Sequence, residues 1–180
     1  MIKKILMIIA ALIFVLVIVG FMLPRKMTVT HSLVIAAPDS VVFYEVNNLD
    51  HHPAWSYWDS LYKGTMKVTY GEIKSGVGAV YKWEGKESGS GKMTITESIP
   101  YKTVKMDLDF MEQGTAKTWY TFEAQGSSTK VTTGIEADMG TNPIMRILAV
   151  LLMKPEMMKA FDYNLNHLKK IAEGKKPGIE

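Results

Sequence analysis

Nineteen consecutive residues, Ile5 to Leu23 (ILMIIAALIFVLVIVGFML), carry neither a charge nor a strongly hydrogen-bonding side chain. As a helix this run is about 28 Å long, close to the hydrocarbon thickness of a bilayer. A helix apolar on every side needs lipid or protein around its whole circumference, and the 154 residues after Lys26 are too few to wrap it. The run is longer than the usual apolar core of a secretory signal, about 7 to 15 residues, and Gly-Phe-Met-Leu-Pro at its end offers no small-x-small cleavage pattern. Residues 1–26 are therefore predicted to be an uncleaved single-pass anchor, with a cleaved signal peptide as the alternative. Lys3 and Lys4 balance Arg25 and Lys26 across the run, so counting positive flanks gives no orientation. A four-residue tail with two lysines is retained in the cytoplasm more readily than it is moved across, which predicts an extracytoplasmic body.

The anchor also accounts for the basicity of the chain. Its flanks hold four of the 21 Lys and Arg and none of the 18 Asp and Glu, which leaves 17 basic against 18 acidic residues in the rest. A near-neutral body has no basic stripe for a phosphate backbone, so nucleic-acid binding is not expected. The absence of cysteine removes disulfides, thiolate metal sites and cysteine nucleophiles together. What remains is one ordinary domain, residues 27–174, followed by a short tail, 175–180.

From Met27 onward the hydrophobic period is 2. Thr28 to Ala36 reads as a strand, and Ala-Pro-Asp-Ser opens a short helix through Val42, Phe43 and Val46. LDHHPAWSYWDSL then reads as a loop with a helical turn. Met66/Val68/Tyr70, Ala79/Tyr81/Trp83, Met93/Ile95 and Val104/Met106/Leu108/Phe110 share one face, while Lys67, Lys82, Glu84, Lys92, Lys105, Asp107 and Asp109 take the other. Lys117 to Ala124 and Lys130 to Asp138 continue this one-sided antiparallel sheet, joined by a hairpin at Gln125-Gly126-Ser127-Ser128. After Gly140 the period returns toward 3.6. Pro143 opens a short apolar stretch, and Pro155 opens a helix to about Glu173 whose Met158, Phe161, Leu165, Leu168 and Ala172 form one stripe. Covering that stripe with the apolar face of the sheet gives an α+β architecture, a bent antiparallel sheet gripping a C-terminal helix.

This order of elements resembles the START/Bet v 1-like (SRPBCC) superfamily in its polyketide cyclase/dehydrase-like branch. The resemblance rests on VIAAPDSVVFYEVNNLDHHPAWSYWD with Trp55 and Trp58, on GVGAVYKWEG with Gly76, Gly78, Tyr81 and Trp83, on GSGKMTITESIP, and on FDYNLNHLKKIAE. It covers residues 28 to 173 and implies the helix-grip fold with a cavity for a hydrophobic ligand. It implies no particular reaction, because such proteins include lipid carriers, hormone receptors, cyclases and chaperone cofactors.

Catalytic constellations are sparse. His31, His51, His52 and His167 lie in no metal-ligand spacing, and Asp50-His51-His52 is read as a solvated loop, so neither a metal nor another cofactor is expected. No nucleophile elbow is present, and Gly76-x-Gly78 and Gly89-x-Gly91 are read as turns or bulges. Glu97 shares the parity of Met93, Ile95 and Ile99 and is the one acid a regular strand would turn inward, a weak candidate for acid/base work; a bulge would return it to water.

Tyr81, Trp83, Met93, Ile95, Met106, Leu108, Phe110, Tyr120, Phe122, Met158, Phe161 and Leu165 are the candidates for a ligand cavity, with Trp55 and Trp58 at its rim. Methionines at 66, 93, 106, 157 and 158 on or beside the inward stripe suit an adaptable cavity and equally a gap-filled core. Ile144 to Met153, too short to span a bilayer, is either a buried helix closing the cavity or a surface resting on the membrane. The expected function is membrane-anchored binding of a lipid, isoprenoid or aromatic metabolite. The alternatives are a cyclase or dehydrase working in the same cavity and an envelope interaction module with a filled core.

Overall fold

The computed structural model describes residues 2–174; the tail at 175–180 lies outside them. The apolar run forms α1 (Ile2–Met22), and of its residues only Gly20 is buried. It is long and apolar enough to cross a bilayer. Seven strands follow: β1 (Lys26–Ile35), β2 (Met66–Tyr70), β3 (Val80–Gly85), β4 (Gly89–Ile99), β5 (Thr103–Asp109), β6 (Thr115–Gln125) and β7 (Ser128–Asp138). They form one antiparallel sheet in the order β1-β7-β6-β5-β4-β3-β2. Every alternating run in the sequence is a strand of this sheet.

The alternation is set by which face is covered. Met93, Ile95, Val104, Met106, Tyr120, Phe122 and Val131 are buried on the concave side, while Lys92, Lys105 and Asp107 between them are exposed. One irregularity breaks it. Pairing of β4 with β5 shifts between Ile95 and Glu97, so Thr96 is an extra residue and the parity beyond it inverts. Ser98 instead of Ile99 then faces inward, and its hydroxyl donates to Asn47 Oδ1 at 2.7 Å.

β1 and β2 lie at opposite edges, so the chain between them must run across the concave face. It carries α2 (Asp39–Asn47), a 3₁₀ turn at His52–Ala54 and α3 (Tyr57–Leu61). At the other end of the chain, α4 (Pro143–Leu148), a π-helical segment (Ala149–Met153) and α5 (Lys154–Ala172) follow one another without a break. α5 lies over the sheet and buries Ala160, Phe161, Asn164, Leu165 and Leu168. That face is turned from the predicted stripe toward Ala160 and Asn164. Asn164 Oδ1 accepts a hydrogen bond from the Tyr57 amide at 2.7 Å, which holds a polar residue at the centre of the contact. Met158 consequently falls at the margin, 41% exposed, and is not part of the interior.

The core has two parts. The larger joins the sheet to α2, the crossover and the second half of α5; the smaller gathers Met27, Val29, Ala116, Ile135, Ala149 and Phe161. Strand register places the smaller part at the rim where α1 enters β1. Lys26 pairs with Asp138, Ala137 with Ala116, Ala116 with Leu108, Asp109 with Lys92, and Gly91 with Trp83. Trp83 and Leu108 therefore lie at the anchor end of the sheet.

Candidate functional site

The predicted cavity residues separate into a closed interior and an open rim. Met93, Ile95, Met106, Tyr120, Phe122 and Leu165 are all buried within the larger core. The residue that fills the space among them is Trp55, only 1% exposed, with its ring edge-on to Tyr120 at 5.8 Å and its indole N–H donating to the Glu45 carbonyl. The expectation of Trp55 at a pocket rim is thus corrected: the crossover threads it into the grip. Trp58 is half-buried beside it in sequence and stacks on Tyr62. Phe161 belongs to the smaller core at the anchor end.

The open rim is aromatic. Trp83 meets Phe110 at 5.9 Å between ring centres, and on its inner side it meets Tyr81 at 6.3 Å, a core residue only 3% exposed that in turn meets Tyr70 at 5.7 Å. Trp83, Leu108 and Phe110 are only partly buried, so this row leaves apolar surface open to solvent at the edge of the core. Gly91 makes the row possible: a Cβ there would stand 2.2 Å from the Trp83 ring and 2.7 Å from the Asp109 carbonyl oxygen. Gly91→Ala is expected to destabilise the protein by about 1–3 kcal/mol through overpacking. Near-UV circular dichroism would report the displaced Trp83, and an unchanged spectrum with wild-type stability would contradict that placement.

A polar group closes the inner end of the row. Asp59 on α3, held by the Ser56 cap of that helix, has a side chain only 7% exposed. Tyr81 Oη donates to Asp59 Oδ1, and His52 Nδ1 stands 3.1 Å from Asp59 Oδ2 in an approach that is electrostatic more than a well-aligned hydrogen bond. The His52 ring sits between Trp55 and Tyr81, at 4.7 and 4.9 Å. Burial opposes ionisation of Asp59, but His52, Tyr81 and Ser56 together outweigh it and hold the carboxyl below its ordinary range. Burial, then the hydrogen bond and charge of Asp59, push the Tyr81 phenol far up, and burial with the charges of Asp50 and Asp59 raises Tyr70. At neutral pH the group is a carboxylate facing a protonated phenol.

The solvated reading of Asp50-His51-His52 is corrected with it. His51 Nδ1 is 2.9 Å from Glu45 Oε2, and only Asp50, ion-paired to Lys74, keeps a surface role. A local reading of DHH could not reveal the Asp59 group, because its members come from a turn, a helix and a strand; its one signal was three titratable residues inside the Trp-rich crossover. His31 faces Asp162 at 3.5 Å, and His167 stacks on Tyr163. Glu97 is turned outward by the bulge at Thr96 and takes Lys105 Nζ at 2.9 Å, so it is not directed at the interior. A groove of about 240 Å³ touching Trp83 and Gly91 is walled by Lys67, Lys82 and Glu84. It falls below the roughly 300–1,000 Å³ of small-molecule pockets.

Solved structures share this architecture. Aha1 from Colwellia psychrerythraea superposes with a TM-score of 0.61 at 16% identity, over 83% of this chain and 98% of that one. CalU16 from Micromonospora echinospora gives 0.54 at 11% identity, over 84% and 77%. StfQ, a di-domain ARO/CYC protein of the steffimycin biosynthetic pathway, gives 0.62 at 10% identity, over 83% of this chain and 51% of that one. The shared property is the fold. No family model matches the chain, and no curated protein is similar to it in sequence. The neighbours are helix-grip proteins, in keeping with an SRPBCC-like fold, and identities this low carry the architecture and no further property.

Proposed function

We propose that this protein is anchored in a membrane by α1 and binds a hydrophobic small molecule, a lipid, isoprenoid or aromatic metabolite, along the rim of its helix grip, with the body on the extracytoplasmic side. The observation that carries the reading is the partly open row Trp83, Leu108 and Phe110 running inward to the Tyr81–Asp59 group. Such a surface suits a guest with an apolar body and one polar end: burial supplies affinity, and a few fixed polar atoms supply orientation. The architecture it shares with Aha1, CalU16 and StfQ supports a ligand-binding or cyclase-like use of the grip.

The full chain purified in detergent, examined by native mass spectrometry beside Trp83→Ala and Phe110→Ala, tests this directly. A defined adduct on the wild type that both variants lose is the expected result; loosely held lipid would persist on all three. Equal adducts on every form, or none on any, would favour the second reading, an interaction module whose grip is closed by Trp55.

A further inference from the structure

Ile144, Leu148, Leu151 and Leu152 follow one another at steps of four, three and one, which puts them on one face of the helical stretch formed by α4 and the π-helical segment. All four are exposed, Leu151 at 65% and Leu152 at 63%, with Met145 beside them. A contiguous apolar face of this kind on a soluble body marks a contact surface. Ten residues cannot cross a bilayer but can lie along its interface.

The face adjoins the end of α1. A Cβ on Gly20 would stand 2.6 Å from both Cβ and the carbonyl oxygen of Pro143, so α4 begins in close contact with α1 at that level. Gly20 lies inside the apolar run, about 4.5 Å short of Leu23 at 1.5 Å per residue. Arg146 fixes the arrangement. Its guanidinium donates to the carbonyl of Phe21, in the last turn of α1 where carbonyls lack helical partners, to that of Leu23 just beyond the helix, and to the carbonyl of Gly140. The only charge within the stretch is thereby turned inward, against backbone oxygens. Arg25 and Lys26 follow immediately, ion-paired to Asp138 and Glu136 and still more than half exposed; basic residues flanking an apolar span are the kind that meet lipid headgroups.

We propose that the exposed apolar face of α4 and the π-helical segment is embedded in the leaflet in which α1 ends, so that lipid covers it. This rests on the anchor reading above and deepens it: the rim holding Trp83, Leu108 and Phe110 is the anchor end of the sheet, so the body meets the bilayer on the side of its open aromatic row.

The chain has no cysteine, so single-cysteine variants can be labelled without background. Leu151→Cys and Ile144→Cys test the face, Phe14→Cys reports the anchor, and Ile73→Cys lies in the loop between β2 and β3 at the opposite end of the sheet. All four positions are exposed, so the fold is retained. Each full-length variant carries an environment-sensitive dye in phosphatidylcholine/phosphatidylglycerol vesicles with and without brominated acyl chains. Positions 144, 151 and 14 are expected to shift to the blue and lose emission to bromine, and position 73 to do neither. If position 14 is quenched while 144 and 151 behave like 73, the inference is overturned and the anchor stands. If position 14 is unquenched, the anchor reading falls and takes the inference with it.

Discussion

Trp55→Ala is expected to destabilise the body by about 3–5 kcal/mol, the range for emptying a large aromatic site in a packed core. The indole is 1% exposed, stands among Tyr120, His52 and the inner face of the sheet, and bonds through its N–H to the Glu45 carbonyl. Neighbouring side chains cannot close the hole cheaply, because the sheet behind it and α5 in front are each fixed by their own packing. Trp55→Phe keeps part of the ring and loses the hydrogen bond, and should fall between the two. Denaturant unfolding of the detergent-solubilised chain, followed by far-UV circular dichroism, gives all three values. A Trp55→Ala midpoint within about 0.5 kcal/mol of wild type, the behaviour of surface positions, would mean that Trp55 does not fill the grip.

The misplacement of Trp55 shows which kind of information the sequence lacks. Strands were legible because each is a local alternation of apolar and charged residues, and the hairpin at Gly126 announced itself through its turn residues. The site of Trp55 depends instead on sheet order. Once β1 pairs with β7 and β2 stands at the far edge, LDHHPAWSYWDSL has to cross the concave face, a consequence of pairings about a hundred residues apart such as Val29 with Ile135. Met158 went astray for a smaller reason of the same type, whereas Glu97 is returned to water by a bulge, as the sequence reading allowed. Asn164 turned α5 toward the Tyr57 amide, and one extra residue at Thr96 inverted the end of β4. Trp83, Leu108 and Phe110 were readable as an inward apolar set, but not their openness, which depends on where α5 stops covering the sheet.

Sheet order likewise assembled the polar end of the row. Asp59→Asn is expected to cost about 1.5–3 kcal/mol at pH 7, the magnitude of hydrogen bonding to a charged group, because one substitution weakens the contacts to both Tyr81 and His52. The pH dependence identifies the source. The folded carboxyl lies below its ordinary value of 3.8, so its contribution is complete above that value and disappears as pH falls through the lower folded one. The gap between wild type and Asp59→Asn should therefore begin to narrow below about pH 4 and close as pH falls through the folded value. Tyr81 gives the opposite arm. Its phenol is raised above 10.0, so its contribution is complete below that pH and is lost as the solution becomes more alkaline, a loss that Tyr81→Phe removes. A stability gap between wild type and Asp59→Asn that stays constant from pH 7 to pH 2.5 would show that the carboxylate charge is not what holds this end together. The same shifts bear on the cyclase alternative. A carboxylate held ionised and a phenol held protonated are poorly matched to exchange a proton near pH 7, so the pair is better suited to orienting the polar end of a bound molecule than to acid/base turnover.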